Sequence, residues 1–325
     1  MTRRVRELWH LGIWLLVLSA SSSVSAAERY AVVITGASGG PAYAEKYDRW
    51  REAFVKTLRG KLGYEERQLF VLAEHERAGV RTATRENAQR VLGDLSKTLS
   101  ENDQLLVLLI GHGTSADGET GKFNLVGPDL TSGEWAGLLK PIAGRIVFID
   151  TTGASFPFLS RLAGPGRIVL TATDSATQQF ETVFPEFLIQ AFDNPAADED
   201  KNGRVSIWEA FSFASAGVRQ WFEQHAQLPT ERPLLDDTGA GVGREAQNPG
   251  PDGAVARVTY LDSPAAAASE NAAVAALVQR RNELERELDT LRARKPSVPS
   301  AEYEAALEKL LLEIARVSQE IRAKS

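Results

Sequence analysis

The stretch "QLLVLLIGHGTSADGETG", Gln104 to Gly121, decides how the rest of the chain reads. Six apolar residues, Leu105 to Ile110, stop abruptly at Gly111-His112-Gly113. An unbroken apolar run closed by glycine reads as a strand buried on both faces. In open parallel sheets, ligands and chemistry sit just outside the carboxyl ends of the strands. His112 therefore stands where a working side chain would stand. A strand-end histidine bonded only to backbone satisfies the same pattern and is the plainer alternative.

The neighbouring segments repeat the theme. "YAVVITGASGG", "QLFVLA", "GRIVFID" and "GRIVLTAT" are further apolar runs. Between them lie amphipathic patterns, "YAEKYDRWREAFVKTLRGKLG" and "ATRENAQRVLGDLSKTLS", the second with Thr84 as its expected N-cap. The fold class expected is α/β, a mostly parallel sheet with helices on both faces. Ser38, His112 and Thr152 all fall just past strand ends. "LPTERPLLDDTGAGVGREAQNPGPDGA" reads as a loop excursion with Asp236-Asp237 in a surface turn, and "VARVTYLD" as one more strand.

Composition bounds the rest. The 325 residues are 43% hydrophobic and 25% charged, with net charge −6 and no cysteine. There is no basic footprint for nucleic acid. Without cysteine, thiolate catalysis and cysteine-bound metal are excluded. Residues 1–26 read as a signal peptide, with a basic start, a short apolar run and small residues before cleavage after Ala26 or Ala27. That run is too short for a comfortable membrane span. Residues 1–26 hold three Arg and one Glu, net +2, so cleavage takes −6 to −8. The expectation is a secreted or periplasmic protein with no stable membrane span once the signal is removed.

A Gly-His-Gly turn after one strand, with "IVFIDTTGASF" ending the next, resembles the caspase/legumain superfamily of cysteine peptidases. "YAVVITGASGG" and "GRIVLTATDSATQQFETVFPEFLIQAF" resemble other parts of that fold, so the likeness runs over about Tyr30 to Phe222. The resemblance implies a caspase-like sheet, with His112 at the family's histidine and Thr152 at its cysteine. Ser38 stands where legumain-type enzymes carry an asparagine. A hydroxyl is a poor nucleophile near neutral pH without a well-aligned base, and threonine is stiff at χ1. The residues thus point to a pseudo-peptidase that binds peptide or protein. An alternative is a hydrolase of altered chemistry using His112 with Thr152 or Ser155. Both His112 and Thr152 are expected to face one cleft. Asp150 could cap the helix starting near Ser155.

"DEDKNGRVSIWE", Asp198 to Glu209, matches the EF-hand loop pattern at every fixed position. Asp198, Asp200 and Asn202 offer side-chain oxygens, Arg204 its carbonyl, Ser206 a direct or water-mediated contact, and Glu209 a bidentate carboxylate. One calcium ion is the expected cofactor. A solvated acidic helix start is the metal-free alternative.

The composition shifts after residue 262. Val274, Leu277, Leu284, Leu288 and Leu291 recur at helical spacing. So do Tyr303, Leu307, Leu310, Ile314, Val317 and Ile321, beyond a Pro-containing turn at Lys295–Ser300. Three regions are expected: signal 1–26, α/β domain 27–262 and a coiled-coil-like helical hairpin 263–325. Leu284, Leu288, Leu310 and Ile314 are placed in the hairpin seam. The hairpin could support self-association, and a purely structural assembly module is a third reading.

Overall fold

The computed structural model describes residues 27–263, single positions between 276 and 291, and residues 299–324. Residues 1–26, expected to be a signal peptide, and residues 295–298 of the expected turn lie outside them.

A seven-stranded sheet forms the centre. Its strands are β1 (Arg29–Thr35), β2 (Leu69–Ala73), β3 (Val80–Thr82), β4 (Gln104–Ile110), β8 (Arg145–Asp150), β9 (Arg167–Thr171) and β10 (Leu234–Asp236), in the order β10-β9-β8-β4-β1-β2-β3. All pairings are parallel except β9 with β10. Strands β5 (Gly113–Thr114), β6 (Lys122–Phe123) and β7 (Leu130–Thr131) make a small antiparallel sheet after His112.

Helices cover both faces, as the apolar runs require. Alternate residues of the strands point to opposite sides. Val33, Leu108 and Ile149 pack with Tyr47, Phe54, Phe184 and Phe211 from α1 (Pro41–Gly60), α5 (Phe184–Ala191) and α6 (Ile207–Gln224). Ile34, Leu109 and Phe148 pack with Val91, Trp135 and Phe158 from α2 (Arg85–Thr98), α3 (Ser132–Leu139) and α4 (Phe156–Leu162). Thr84 caps α2, its side chain accepting the Asn87 N–H.

Two expectations fail near the sheet edge. The segment read as loop supplies β10, and Asp236 and Asp237 are buried there. Their carboxylates replace missing backbone partners. Asp236 accepts N–H groups of Thr238, Gly239 and Gly241, and Asp237 those of Gly253 and Ala256. Buried donors need acceptors, and these two side chains fix the excursion against the sheet. "VARVTYLD" is not a sheet strand. It forms a 3-10 turn over Ala256–Val258 and then a strap with a single bridge, Ser206 to Tyr260.

That strap crosses the amino ends of three strands. The Arg29 guanidinium donates to the Leu261 carbonyl, Gln104 Nε2 to the Tyr260 carbonyl at 2.9 Å, and Arg145 Nη1 to Thr259 Oγ1 at 3.2 Å. Beyond it, Leu284, Val317 and Ile321 cluster with Leu277, Leu310 and Ile314, and Leu288 is buried too. Arg280 pairs with Glu313 at 2.8 Å between the arm and α7 (Ser300–Lys324). No described helix is long and apolar enough to cross a membrane.

Because the strap ties residues 259–262 to the sheet, truncation after Asp262 should leave one cooperative urea transition monitored by circular dichroism. Loss of that transition would make the hairpin part of the main core.

Candidate functional site

The rim at the carboxyl ends of β1, β4 and β8 brings Ser38, His112 and Thr152 to neighbouring positions. Leu109 pairs with Asp150 across β4 and β8, and the ladder continues with the Thr151 N–H donating to the Leu109 carbonyl at 3.1 Å. Gly113 lies directly on the Thr152-Gly153 turn; a Cβ there would overlap the Gly153 carbonyl and the Thr152 hydroxyl. The two positions thus share one ledge, but their side chains do not meet.

His112 is half-buried and turned toward α1. Its Nε2 lies 3.0 Å from the Ser38 carbonyl, which can only accept, so Nε2 carries a hydrogen. The Tyr47 hydroxyl lies 3.2 Å from Nε2 and 3.4 Å from Nδ1. Tyr43 packs edge-on to the imidazole at 4.8 Å. Burial, and then the charge of Glu181, push the Tyr47 phenol well above its ordinary value, so it stays neutral.

Thr152 is 0% exposed. Its hydroxyl donates to the Gly153 carbonyl at 2.9 Å, and its N–H to Asp150 Oδ1 at 3.0 Å. The expectation of a threonine lining an open cleft is therefore corrected: the side chain is sealed beneath Gly113. The Ala154 N–H is taken by the Gln178 carbonyl. Oxyanion stabilisation needs backbone donors free to aim at one point, and the Thr152 and Ala154 donors are committed. Ser155 is also fully buried, and its hydroxyl accepts the N–H groups of Ala172 and Thr173 at 3.1 and 3.2 Å. It anchors the end of β9, away from His112.

Asp150 does not cap the helix at Ser155. It holds the Thr152 turn through Oδ1, while its buried Oδ2 has no hydrogen-bond partner. Burial raises its pKa to about 7, against the lowering effect of the Thr152 bonds.

At the opposite end of the sheet sits the acidic loop. Oxygens of Asp198, Asp200 and Glu209 lie within 4.8 Å of one another. Ligands on opposite sides of one calcium at 2.3–2.6 Å would be about 5 Å apart, so the three carboxylates fit a single ion. Gly203 has φ 82°, which permits the sharp turn. The Asn202 side-chain oxygen accepts the Arg204 N–H at 2.8 Å. Ser206 and Glu209 form a capping box on α6, so Glu209 serves the helix start as well as the loop. Burial, the largest influence, raises the pKa of both Asp198 and Glu209. The Arg204 side chain points away from the cluster. It forms a two-pronged pair with Asp262, with bonds of 2.7 and 2.8 Å, and stacks 3.8 Å from the Tyr260 ring centre.

The strap was the element hardest to see in sequence, because Tyr260 and Asp262 act through partners distant in the chain, Asn202 and Arg204. The capping box Thr131–Glu134 at α3 was a readable signal for that helix.

No protein-family model and no curated protein matches the sequence. Among solved structures, the chain aligns with a structural-genomics target from Geobacter sulfurreducens, at 14% identity and TM-score 0.43, over 64% of this chain and 92% of that one. It also aligns with caspase-1 from Spodoptera frugiperda, at 11% identity and TM-score 0.44, over 65% of this chain and 88% of that one.

The pKa of Asp150 yields a stability prediction. Below pH about 4, folded and unfolded chains both hold its proton. Between about 4 and 7 only the folded chain holds it, so stability falls as pH rises, by at most about 1.4 kcal/mol per unit. Asp150→Asn keeps the oxygen facing Thr152 and removes this slope. Its melting temperature should exceed wild type at pH 8 and converge with it near pH 4. Comparing the two proteins cancels Glu231, also raised to about 7 by burial. A difference independent of pH would show that Asp150 does not titrate this way.

Proposed function

We propose that this chain is an exported caspase/legumain-like protein that lacks peptidase chemistry, holds one calcium ion, and acts by binding a peptide or protein at the rim around His112. The observation that carries the reading is the state of Thr152. It occupies the turn beside His112, yet its hydroxyl is buried and donated to its own Gly153 carbonyl. No hydrogen bond joins it to His112, and no thiol exists in the chain. A general base needs its partner proton within about 2.6–3.2 Å or one water. His112 instead holds Ser38 and Tyr47 in place.

The same rim offers a binding surface. Tyr43 stands partly exposed against His112, and Phe180, 71% exposed, projects from the loop lying on Gly153. Aromatic side chains supply large contact area at low entropic cost. Self-association through the hairpin is a separate reading, favoured by the exposed Leu311 and Leu312 on α7. Sedimentation of the full chain against Leu311→Glu would test it, a shift toward monomer being the expected result.

Protein lacking residues 1–26 should not cleave peptides bearing Asn, Asp or Arg at the scissile position, and His112→Ala should change nothing. Turnover that His112→Ala abolishes would establish a hydrolase in place of a binding protein.

For the loop, binding to the folded state alone stabilises by RT ln(1 + [Ca]/Kd), about 2.7 kcal/mol at a hundredfold excess. Isolated extracellular sites bind at about 10⁻⁴–10⁻³ M, so a few millimolar CaCl₂ should raise the melting temperature over EDTA. Glu209→Gln should lose that rise. Arg204→Ala takes the two-pronged partner from the partly buried Asp262 carboxylate. It should lower the melting temperature with or without calcium while keeping the calcium-induced rise. An unchanged midpoint and no heat of binding in wild type would return the loop to a solvated helix start.

A further inference from the structure

Glu209 carries two duties that draw on the same oxygens. It is the residue expected to hold an ion with both of them, and a carboxylate has about four lone-pair sites in all. Four donors already meet it: Oε1 accepts the Glu199 N–H at 2.9 Å and the Asp200 N–H at 3.3 Å, and Oε2 accepts the Ser206 N–H and the Ser206 hydroxyl, both at 2.8 Å. Asp198 differs. Its Oδ1 takes the Asn202 N–H and its Oδ2 the Gly203 N–H, one donor for each oxygen. Glu209 is thus a carboxylate on which an ion has to displace a donor.

The donors on Glu209 are not equally fixed. Those of Glu199, Asp200 and the Ser206 backbone are N–H groups set by the path of the loop. The remaining one is a hydroxyl, whose proton turns about the Cβ–Oγ bond. Ser206 Oγ also accepts the Glu209 N–H at 3.2 Å, the N-cap bond of α6. Turning the proton leaves that bond in place, and the Ile207 N–H on the Thr259 carbonyl keeps the helix start where it is.

We infer that the Ser206 hydroxyl is an internal competitor of calcium: its bond to Glu209 opens before both Glu209 oxygens can hold the ion, and this sets the affinity of the loop. The inference rests on the calcium reading of residues 198–209. It reverses the part expected of Ser206, from an oxygen offered to the ion to a proton that holds a ligand back. A hydrogen bond to a charged acceptor is about twice as strong as one between neutral groups. Ser206 is 1% exposed, so the displaced proton gains no bond to bulk water in exchange. Opening the bond therefore offsets part of the attraction between the ion and the carboxylate. Without the hydroxyl, one site on Oε2 is open from the start.

The test uses the chain from residue 27 onward. Calorimetric titration with CaCl₂ compares wild type with three variants. Ser206→Ala lacks the hydroxyl, Ser206→Gly lacks it with a smaller loss at the N-cap, and Ser206→Thr keeps it. The Ala and Gly variants should bind calcium about fivefold tighter or more, and the Thr variant as wild type does. If the Ala variant does not fold, the Gly variant decides. Weaker binding without the hydroxyl would make its oxygen a ligand, directly or through water, and overturns the competition. A Thr variant that binds as tightly as the Ala variant overturns it too, because the hydroxyl would then not be the cause. No heat of binding in any of the proteins removes the calcium reading and this inference with it, whereas equal binding in all of them keeps that reading and removes only the role of Ser206.

Discussion

Strand β4 is paired with β1 along its whole length and with β8 from Gln104 to Leu109, and the rim depends on how the chain leaves that position. Leu105 to Ile110 are all at 0% exposure between β1 and β8. Burial of each such side chain contributes about 1.5–3 kcal/mol, so β4 cannot slide without a large loss. Its exit is equally constrained. Gly111, at φ 149°, packs against Gly36 of the first turn, and Gly113 sits on Thr152-Gly153. A side chain fits only at the position between them. His112 is that side chain, and the crowded backbone turns it away from β8 toward Tyr43, Tyr47 and the Ser38 carbonyl. The close approach that makes His112 and Thr152 neighbours is also what buries the threonine. Proximity along the rim and chemical contact are here opposed.

Much of this was legible before any coordinates. The five long apolar runs that became β1, β2, β4, β8 and β9 had no other comfortable reading, because a strand covered on both faces needs no polar alternation. The N-cap Thr84 and the acidic loop with Gly203 were equally direct, since each depends on local geometry that few residue types allow. What escaped were elements defined by distant partners. Strand β10 is three residues long, and its register comes from β9 and from Asp236 and Asp237 holding the following turns. No short-range period records that. The state of Thr152 was likewise invisible: its place in the chain could be read, but not that Gly113 would cover it and Gly153 would take its hydroxyl.

The strap at residues 259–262 explains why the acidic loop belongs to this domain. The loop lies between α5 and α6, and the Ile207 N–H donates to the Thr259 carbonyl at 2.8 Å. Asn202 Nδ2 reaches the Tyr260 hydroxyl at 3.1 Å, and Arg204 grips Asp262. The same strap is held by Arg29, Gln104 and Arg145, the first residues of β1, β4 and β8. A loop of three crowded carboxylates is thereby clamped to the amino edge of the sheet. Its backbone donors already fill many carboxylate lone pairs, as where Asp198 accepts Asn202 and Gly203 N–H groups. The loop is preorganised, which lowers the ordering cost a cation would have to meet.

This placement also separates two roles that calcium could have had. Helix α1 spans the domain, with Tyr43 and Tyr47 against His112 at one end and, at the other, the Thr57 hydroxyl on Asp193 and Lys61 Nζ on the Phe192 carbonyl just before the loop. Twenty helical residues rise about 30 Å. Between those ends Trp50 and Phe54 pack into the buried core. Coupling across such a distance needs an element with two states, and α1 shows a single packing. A cation in the loop would therefore stiffen the domain that carries the rim without reshaping His112. The outward side of the loop carries Asp200, whose side chain is half in solvent and lies 3.6 Å from the buried Arg281.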